Sequence, residues 1–291
     1  MIRRLALSVC IAALAASASA APVQVGDLLA KAPAADWRAL DPENTVYMDL
    51  PAGRVVIELA PAFAPNHVAN IKALVRSGYF DDSAVVRVQD NYVAQWSAPE
   101  DRKIKAGHDT LKAEFDKPIG PEPFVRLADP DTYAPVVGFS GDFPAARDPK
   151  THRTWLTHCY GMVGAGRDDG ADTGGGKELY AVIGQSPRNL DRNVTLVGRV
   201  VQGMELLSSL PRGPGDMGFY TNAGDKTAIR RVRLAADVPA AERLPLEALR
   251  TDSPTFKALV QSRRFRHEGW YKYSPGRIGV CNTPLPVRVA R

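Results

Sequence analysis

Between residues 45 and 234 the chain is a succession of short β-branched and aromatic runs closed off by turn residues, with helical periodicity in only two places. No strand–helix–strand alternation runs through it, so the strands cannot form the parallel sheet of an α/β fold. They must pair with one another, and closing such a sheet on itself removes its exposed edges. The first two runs, residues 46–50 and 54–59, flank the turn Pro51-Ala52-Gly53 and read as a β-hairpin. Pro65 then opens a helix whose stripe is Val68, Ile71, Leu74 and Val75 and whose stop is Gly78. Residues 179–184, 195–201 and 228–234 are further strands, residues 154–166 are a strand entering a glycine-rich loop, and residues 203–210 are a short helix ended by Pro211. The pattern predicts a mainly-β, closed barrel with helical caps.

The flanks differ from this middle. Arg3 and Arg4 precede an apolar run over residues 5–15, and Ala18-Ser19-Ala20 supplies a small-residue cleavage pattern, so residues 1–20 read as a secretory signal peptide cut near Ala20. The apolar run is too short to span a bilayer and nothing later reaches that length, which predicts a soluble periplasmic or secreted protein. Residues 21–44 form an N-terminal arm with a short helix around residues 25–31. Residues 98–153, rich in proline, aspartate and charge, read as a long loop with ordered islands at 111–115 and 136–139. Residues 235–291 form a C-terminal extension, with helices over 244–249 and 254–264 and irregular chain after 269. Two cysteines remain once Cys10 leaves with the leader, Cys159 and Cys281. In an oxidising compartment they either pair or stay as buried thiols, and spacing alone does not decide between the two.

Composition excludes some partners. The formal net charge of +5 falls when Arg3 and Arg4 are removed, and the other basic residues are dispersed among acidic ones, so no nucleic-acid stripe exists. The run Arg263-Arg264-Phe265-Arg266-His267 reads better as a helix end whose long side chains cover apolar surface. Gly164-Ala165-Gly166-Arg167-Asp168-Asp169-Gly170 leads into a strand rather than a helix, and Gly174-Gly175-Gly176-Lys177 lacks the Walker spacing, so neither is a phosphate loop. Asp168, Asp169 and Asp172 do not follow the EF-hand ligand order, and the histidines lack HExxH spacing. Neither a metal nor a cofactor is expected, and a hydrolase is the weaker enzyme reading.

The chemistry concentrates in residues 83–96, a strand, a polar step at Gln89-Asp90-Asn91, and a second strand. If Arg87 and Gln95 share a face with Tyr92, a permanent cation and an amide stand beside an aromatic wall. A guanidinium cannot act as a base at neutral pH, but its rigid fork of donors suits a carbonyl oxygen. The bland alternative is a surface arginine on an edge strand.

The order of these motifs resembles a cyclophilin-type peptidyl-prolyl isomerase. The hairpin with residues 53–59, Ala64-Pro65 opening a helix that holds Asn70, Gly78-Tyr79-Phe80-Asp81, and Arg87-Val88 with Tyr92 and Gln95 carry the first half. Gly161-Met162-Val163-Gly164-Ala165-Gly166, Leu179-Tyr180, and residues 190–204 carry the second. The resemblance spans residues 45–234 and implies an eight-stranded closed antiparallel β-barrel capped by two helices. It implies Arg87 as the catalytic arginine and Tyr92, Val93, Tyr180 and Leu190 as walls of a proline pocket. Gln95 matches an amide that orients substrate, while Met162, Gly164, Ala165, Glu178 and Leu179 match the neighbouring groove. The chain departs from the family at Val85-Val86, where Phe-His is usual, at Trp96, Glu178, Asn189 and Val194, and at Gly164 in place of an asparagine. The expected partners are proline-containing polypeptides and the expected state is a monomer. A binding module that holds such segments without turning them over is the competing class.

Overall fold

The computed structural model describes residues 24–185, 187–266 and 268–290. The expected signal peptide and His267 lie outside these residues. The described chain opens with helix α1 (Val25–Ala30), strand β1 (Trp37–Ala39), the hairpin β2 (Thr45–Leu50) and β3 (Gly53–Leu59), helix α2 (Pro65–Arg76), and the pair β4 (Ser83–Val88) and β5 (Val93–Ser97). Five strands follow: β6 (Lys117–Pro118), β7 (Val125–Leu127), β8 (Val136–Ser140), β9 (Phe143–Asp148) and β10 (Arg153–Leu156). Then come β11 (Met162–Ala165), β12 (Glu178–Val182), β13 (Leu196–Gln202), helix α3 (Met204–Ser208), β14 (Thr227–Ile229) and β15 (Arg231–Leu234). The extension adds β16 (Leu246–Leu249), helix α4 (Pro254–Arg264) and β17 (Val287–Val289).

The main sheet has the order β14-β4-β5-β12-β11-β13-β3-β2-β15, with every neighbouring pair antiparallel. Its two edge strands are consecutive in the chain and separated by Arg230 alone, whose amide donates to Asp49 O at 2.9 Å. One bent segment therefore brings the sheet back on itself as a nearly closed barrel. The single strand expected over residues 228–234 is two, and the barrel has nine strands rather than eight, because the ladder breaks where the segment leaves β4 and takes up β2.

Residues alternate across each strand, and here both faces are buried. Ala94, Trp96, Leu179, Ala181, Val163 and Ala165 point into the barrel and join a core to which α2 adds Val68, Ile71, Leu74 and Val75 and α3 adds Leu207. Val93, Tyr180, Val182, Met162 and Leu196 point outward into a second core shared with Phe139, Phe143, Trp155, Phe256 and Leu259. Double burial is why these strands read as near-continuous apolar runs.

The second core corrects two expectations. The loop expected over residues 98–153 holds strands of a five-stranded sheet, ordered β6-β10-β9-β8-β7, which covers the barrel's outer face. Strand β9 is Phe-Pro-Ala-Ala-Arg-Asp, a composition with little intrinsic strand preference, and packing of Ala145 and Ala146 decides its state. In the extension, residues 246–249 are a strand rather than a helix, because β16 pairs with β1 of the N-terminal arm on one side and β17 on the other. Helix α4 forms where its pattern predicts, capped by the Ser253 hydroxyl accepting from the Phe256 amide. The two cysteines form a disulfide, Cys159–Cys281, across 122 residues of chain, with the Cα atoms 4.9 Å apart. No helix among the described residues is long and apolar enough to cross a membrane.

Candidate active site

A bulge in β4 builds the site. Val85 pairs with Trp96 and Arg87 with Gln95, so Val86 is the extra residue between two ladder pairs. Strict alternation would put Val85 and Arg87 on the same face. With the bulge, Val85 and Val88 both reach the inner core, and Arg87 turns outward beside Gln95. The polar step expected at Gln89-Asp90-Asn91 returns the chain: Gln89 N donates to Val93 O, and Asn91 takes the left-handed conformation, φ +53°, that asparagine tolerates.

Arg87 is half-buried and held from three sides. Its Nε donates to Met217 O at 2.7 Å, Nη1 to Gln95 Oε1 at 3.2 Å, and Nη2 to Gln89 Oε1. These bonds engage three of the five N–H donors, so the guanidinium keeps donors for a ligand carbonyl. Its carbon stands 5.4 Å from the ring centre of Tyr92 and 5.2 Å from that of Phe219. Burial pulls its pKa below the usual value while Tyr92 acts the other way. Gln95 Nε2 donates onward to Glu178 Oε2 at 2.9 Å, so the amide's orientation is set at both ends.

A cavity of about 390 Å³ opens beside this cluster. Seven of the expected residues line it: Arg87, Tyr92, Val93, Gln95, Glu178, Tyr180 and Leu190. The other four do not. Ala165 and Leu179 alternate into the barrel core, Met162 packs in the outer core, and Gly164 lies beneath Tyr180. Period-two geometry explains the split, since Leu179 stands between two outward residues and must face inward. Met217 and Phe219 of the wall were not anticipated. They come from the segment before β14, where Phe219 makes an isolated bridge to Arg87 and Tyr220 N donates to Val86 O. Nothing local in a glycine-rich run announces that contact. Arg167, Asp168, Asp169, Thr173 and Lys177 supply the polar rim.

Tyr180 is the inner wall. It is 5% exposed, and its ring lies so close over Gly164 that a Cβ there would sit 2.3 Å from the phenol. Burial raises its pKa far beyond the ordinary tyrosine range. The glycine-rich stretch before β12 is bound to α2: Gly174 O and Gly175 O accept from His67 Nε2 and Asn70 Nδ2. Among the described residues no cluster of three or more metal-ligating side chains occurs.

The family model described as cyclophilin type peptidyl-prolyl cis-trans isomerase matches residues 45–234. A probable peptidyl-prolyl cis-trans isomerase of Brucella suis is 29% identical over 187 residues, covering 60% of this chain and 75% of that protein, and the Brucella melitensis counterpart matches equally. The crystal structure of a cyclophilin from Hirschia baltica superposes with a TM-score of 0.70 at 25% identity, covering 88% of this chain and 94% of that one. That coverage extends well beyond residues 45–234, so the likeness takes in much of the added chain as well as the barrel. The family match takes in well over half of the sequence and the whole of the barrel that carries Arg87 and its cavity, and the chain belongs to the cyclophilin-type peptidyl-prolyl cis-trans isomerases.

Proposed function

We propose that the cleft beside Arg87 is where this isomerase turns Xaa-Pro bonds, and that its clients are exported proteins folding outside the cytoplasm. The observation that carries the first part is the cross-strand pair Arg87 and Gln95 at the mouth of a pocket walled by Tyr92, Val93, Tyr180 and Leu190. Rotation about a peptide bond costs about 18–20 kcal/mol because conjugation must be broken. A proline ring seated in an apolar pocket leaves its amide against the guanidinium. The cation binds the twisted amide, whose lone pair has returned from the carbonyl to the pyramidal nitrogen, better than either planar isomer. Interaction that is stronger at the transition state than in the ground states lowers the barrier. Neither a nucleophile nor a proton transfer is required.

Export is supported by the leader pattern of residues 1–20 and by the Cys159–Cys281 disulfide, a bond suited to an oxidising compartment. Uncatalysed Xaa-Pro isomerisation takes tens to hundreds of seconds, which makes it a folding step worth accelerating there. The test is cis/trans interconversion of Xaa-Pro peptides followed by NMR exchange. The parent accelerates it, and Arg87→Ala, still folded by circular dichroism, loses about 100-fold, the scale of one removed electrostatic group. Exchange at the peptide's own rate with both proteins would replace catalysis with proline-segment binding. Fractionation of a Gram-negative host expressing the full chain, with the mature N-terminus read by mass, tests export.

A further inference from the structure

Behind the pocket runs a buried polar relay that the isomerase chemistry does not use. Tyr180 Oη stands 3.0 Å from His158 Nε2, and His158 Nδ1 stands 3.1 Å from Asp191 Oδ1. The same carboxylate oxygen accepts from the His158 amide at 2.9 Å, and Asp191 Oδ2 accepts from Arg188 Nε at 2.7 Å. Arg188 then donates from both Nη atoms to Asp131, each at 2.9 Å. His158 is fully buried and Arg188 is 4% exposed. The histidine follows β10, the arginine and Asp191 lie between β12 and β13, and Asp131 lies between β7 and β8 of the second sheet.

The proton positions follow from the partners. Asp191 and Asp131 share Arg188, so Asp191 is a carboxylate and can only accept, which places a proton on His158 Nδ1. A neutral imidazole then offers Nε2 as an acceptor, and the Tyr180 hydroxyl donates into it. Burial, opposed by the Asp191 carboxylate, lowers the His158 pKa and keeps the ring in that neutral form. The phenol therefore spends its donor on the side away from the cavity. Its ring plane lies within 17° of the imidazole plane, the ring centres 6.4 Å apart, and is pressed over Gly164.

Resting on the reading of this cleft as the proline site, we infer that His158 is a positioning residue for substrate: by accepting the Tyr180 hydroxyl it holds the ring over Gly164 as a fixed, donor-free inner wall of the pocket. Loss of that tether leaves a buried hydroxyl to seek another acceptor. The ring then turns into the space the proline needs, which weakens binding of the peptide more than turnover once bound.

The experiment compares the parent, Arg87→Ala, His158→Leu, His158→Gln and Tyr180→Phe for Xaa-Pro peptide affinity by NMR titration and for exchange rate at saturation. A glutamine places its amide oxygen near the position of Nε2 and accepts the same hydroxyl. The expected result is affinity weakened about tenfold in His158→Leu, with the saturated rate held within about twofold, and restored to within about twofold in His158→Gln. Tyr180→Phe falls between the two. Ring nitrogen shifts of His158 in the parent report the Nδ1-protonated neutral form; an Nε2-protonated form overturns the assignment of the donor. If Arg87→Ala keeps the parent rate, the reading of the cleft is lost. If Arg87→Ala is inactive while His158→Leu binds like the parent, or His158→Gln binds as weakly as His158→Leu, the positioning role is lost alone. Should His158→Leu fail to fold, Tyr180→Phe decides: weaker binding at unchanged saturated rate upholds the role, and parent-like binding rejects it.

Discussion

Arg87 and His158 show how little of a residue's role resides in its type. The guanidinium faces the cleft because Val86 is spent as a bulge, and the imidazole is inert as a base because its acceptor nitrogen is already taken. Burial sets a pH dependence for the second of these. Tyr180, Asp191 and Arg188 are the titratable and charged groups around His158, and desolvation outweighs the carboxylate so that its folded pKa lies below the ordinary value of 6.5. The folded protein therefore binds fewer protons at this site than the unfolded chain, and stability rises with pH across that window. The contribution is complete above the unfolded pKa and is lost as pH falls from about 6.5 toward the lower folded value. Urea midpoints measured from pH 7 to pH 5 should fall on acidification, and the slope should flatten in His158→Gln.

At the level of elements, the strands that carry the site were legible and those that brace it were not. Strands β3, β5 and β13 have β-branched or aromatic residues on both faces, and β12 is apolar from Leu179 to Val182, which is strong local signal. Strands β7 and β9, by contrast, owe their state to neighbours, and Leu-Glu-Ala-Leu at residues 246–249 favours a helix until two partner strands offer hydrogen bonds. The second sheet is tied to the barrel through Arg188, which bridges Asp131 and Asp191. Arg188→Met would leave both carboxylates without their shared partner, and a loss of about 3 kcal/mol is expected from the cost of uncompensated buried charge. Chemical denaturation measures it, and a change below about 0.5 kcal/mol would show that the bridge is replaced by solvent.

For the molecule as a whole, the arm, second sheet and extension form one jacket on the barrel. The arm's β1 pairs with β16 of the extension, α1 and α4 contribute to the same outer core, and Cys281 joins that extension to Cys159 just after β10. Closing 122 residues of chain contributes on the order of 4–5 kcal/mol in the chain-entropy account. Thermal unfolding of Cys159→Ala/Cys281→Ala, or of the parent under reductant, should show the transition well below that of the oxidised protein. Equal transitions would mean that apolar packing alone retains the extension.

The sequence by itself determined the barrel, its two helices on the inner core and the arginine with its amide and aromatic neighbours, because those depend on short-range preference and on motif order along the chain. Only the tertiary structure decided that Arg87 faces the cleft, since the bulged residue Val86 reverses every side chain after it in the strand. It also decided the second sheet, the pairing of Cys159 with Cys281 and the meeting of Tyr180, His158, Asp191, Arg188 and Asp131. These unite residues tens of positions apart, and nothing in local propensity distinguishes a histidine that will find a phenol from one that will find water.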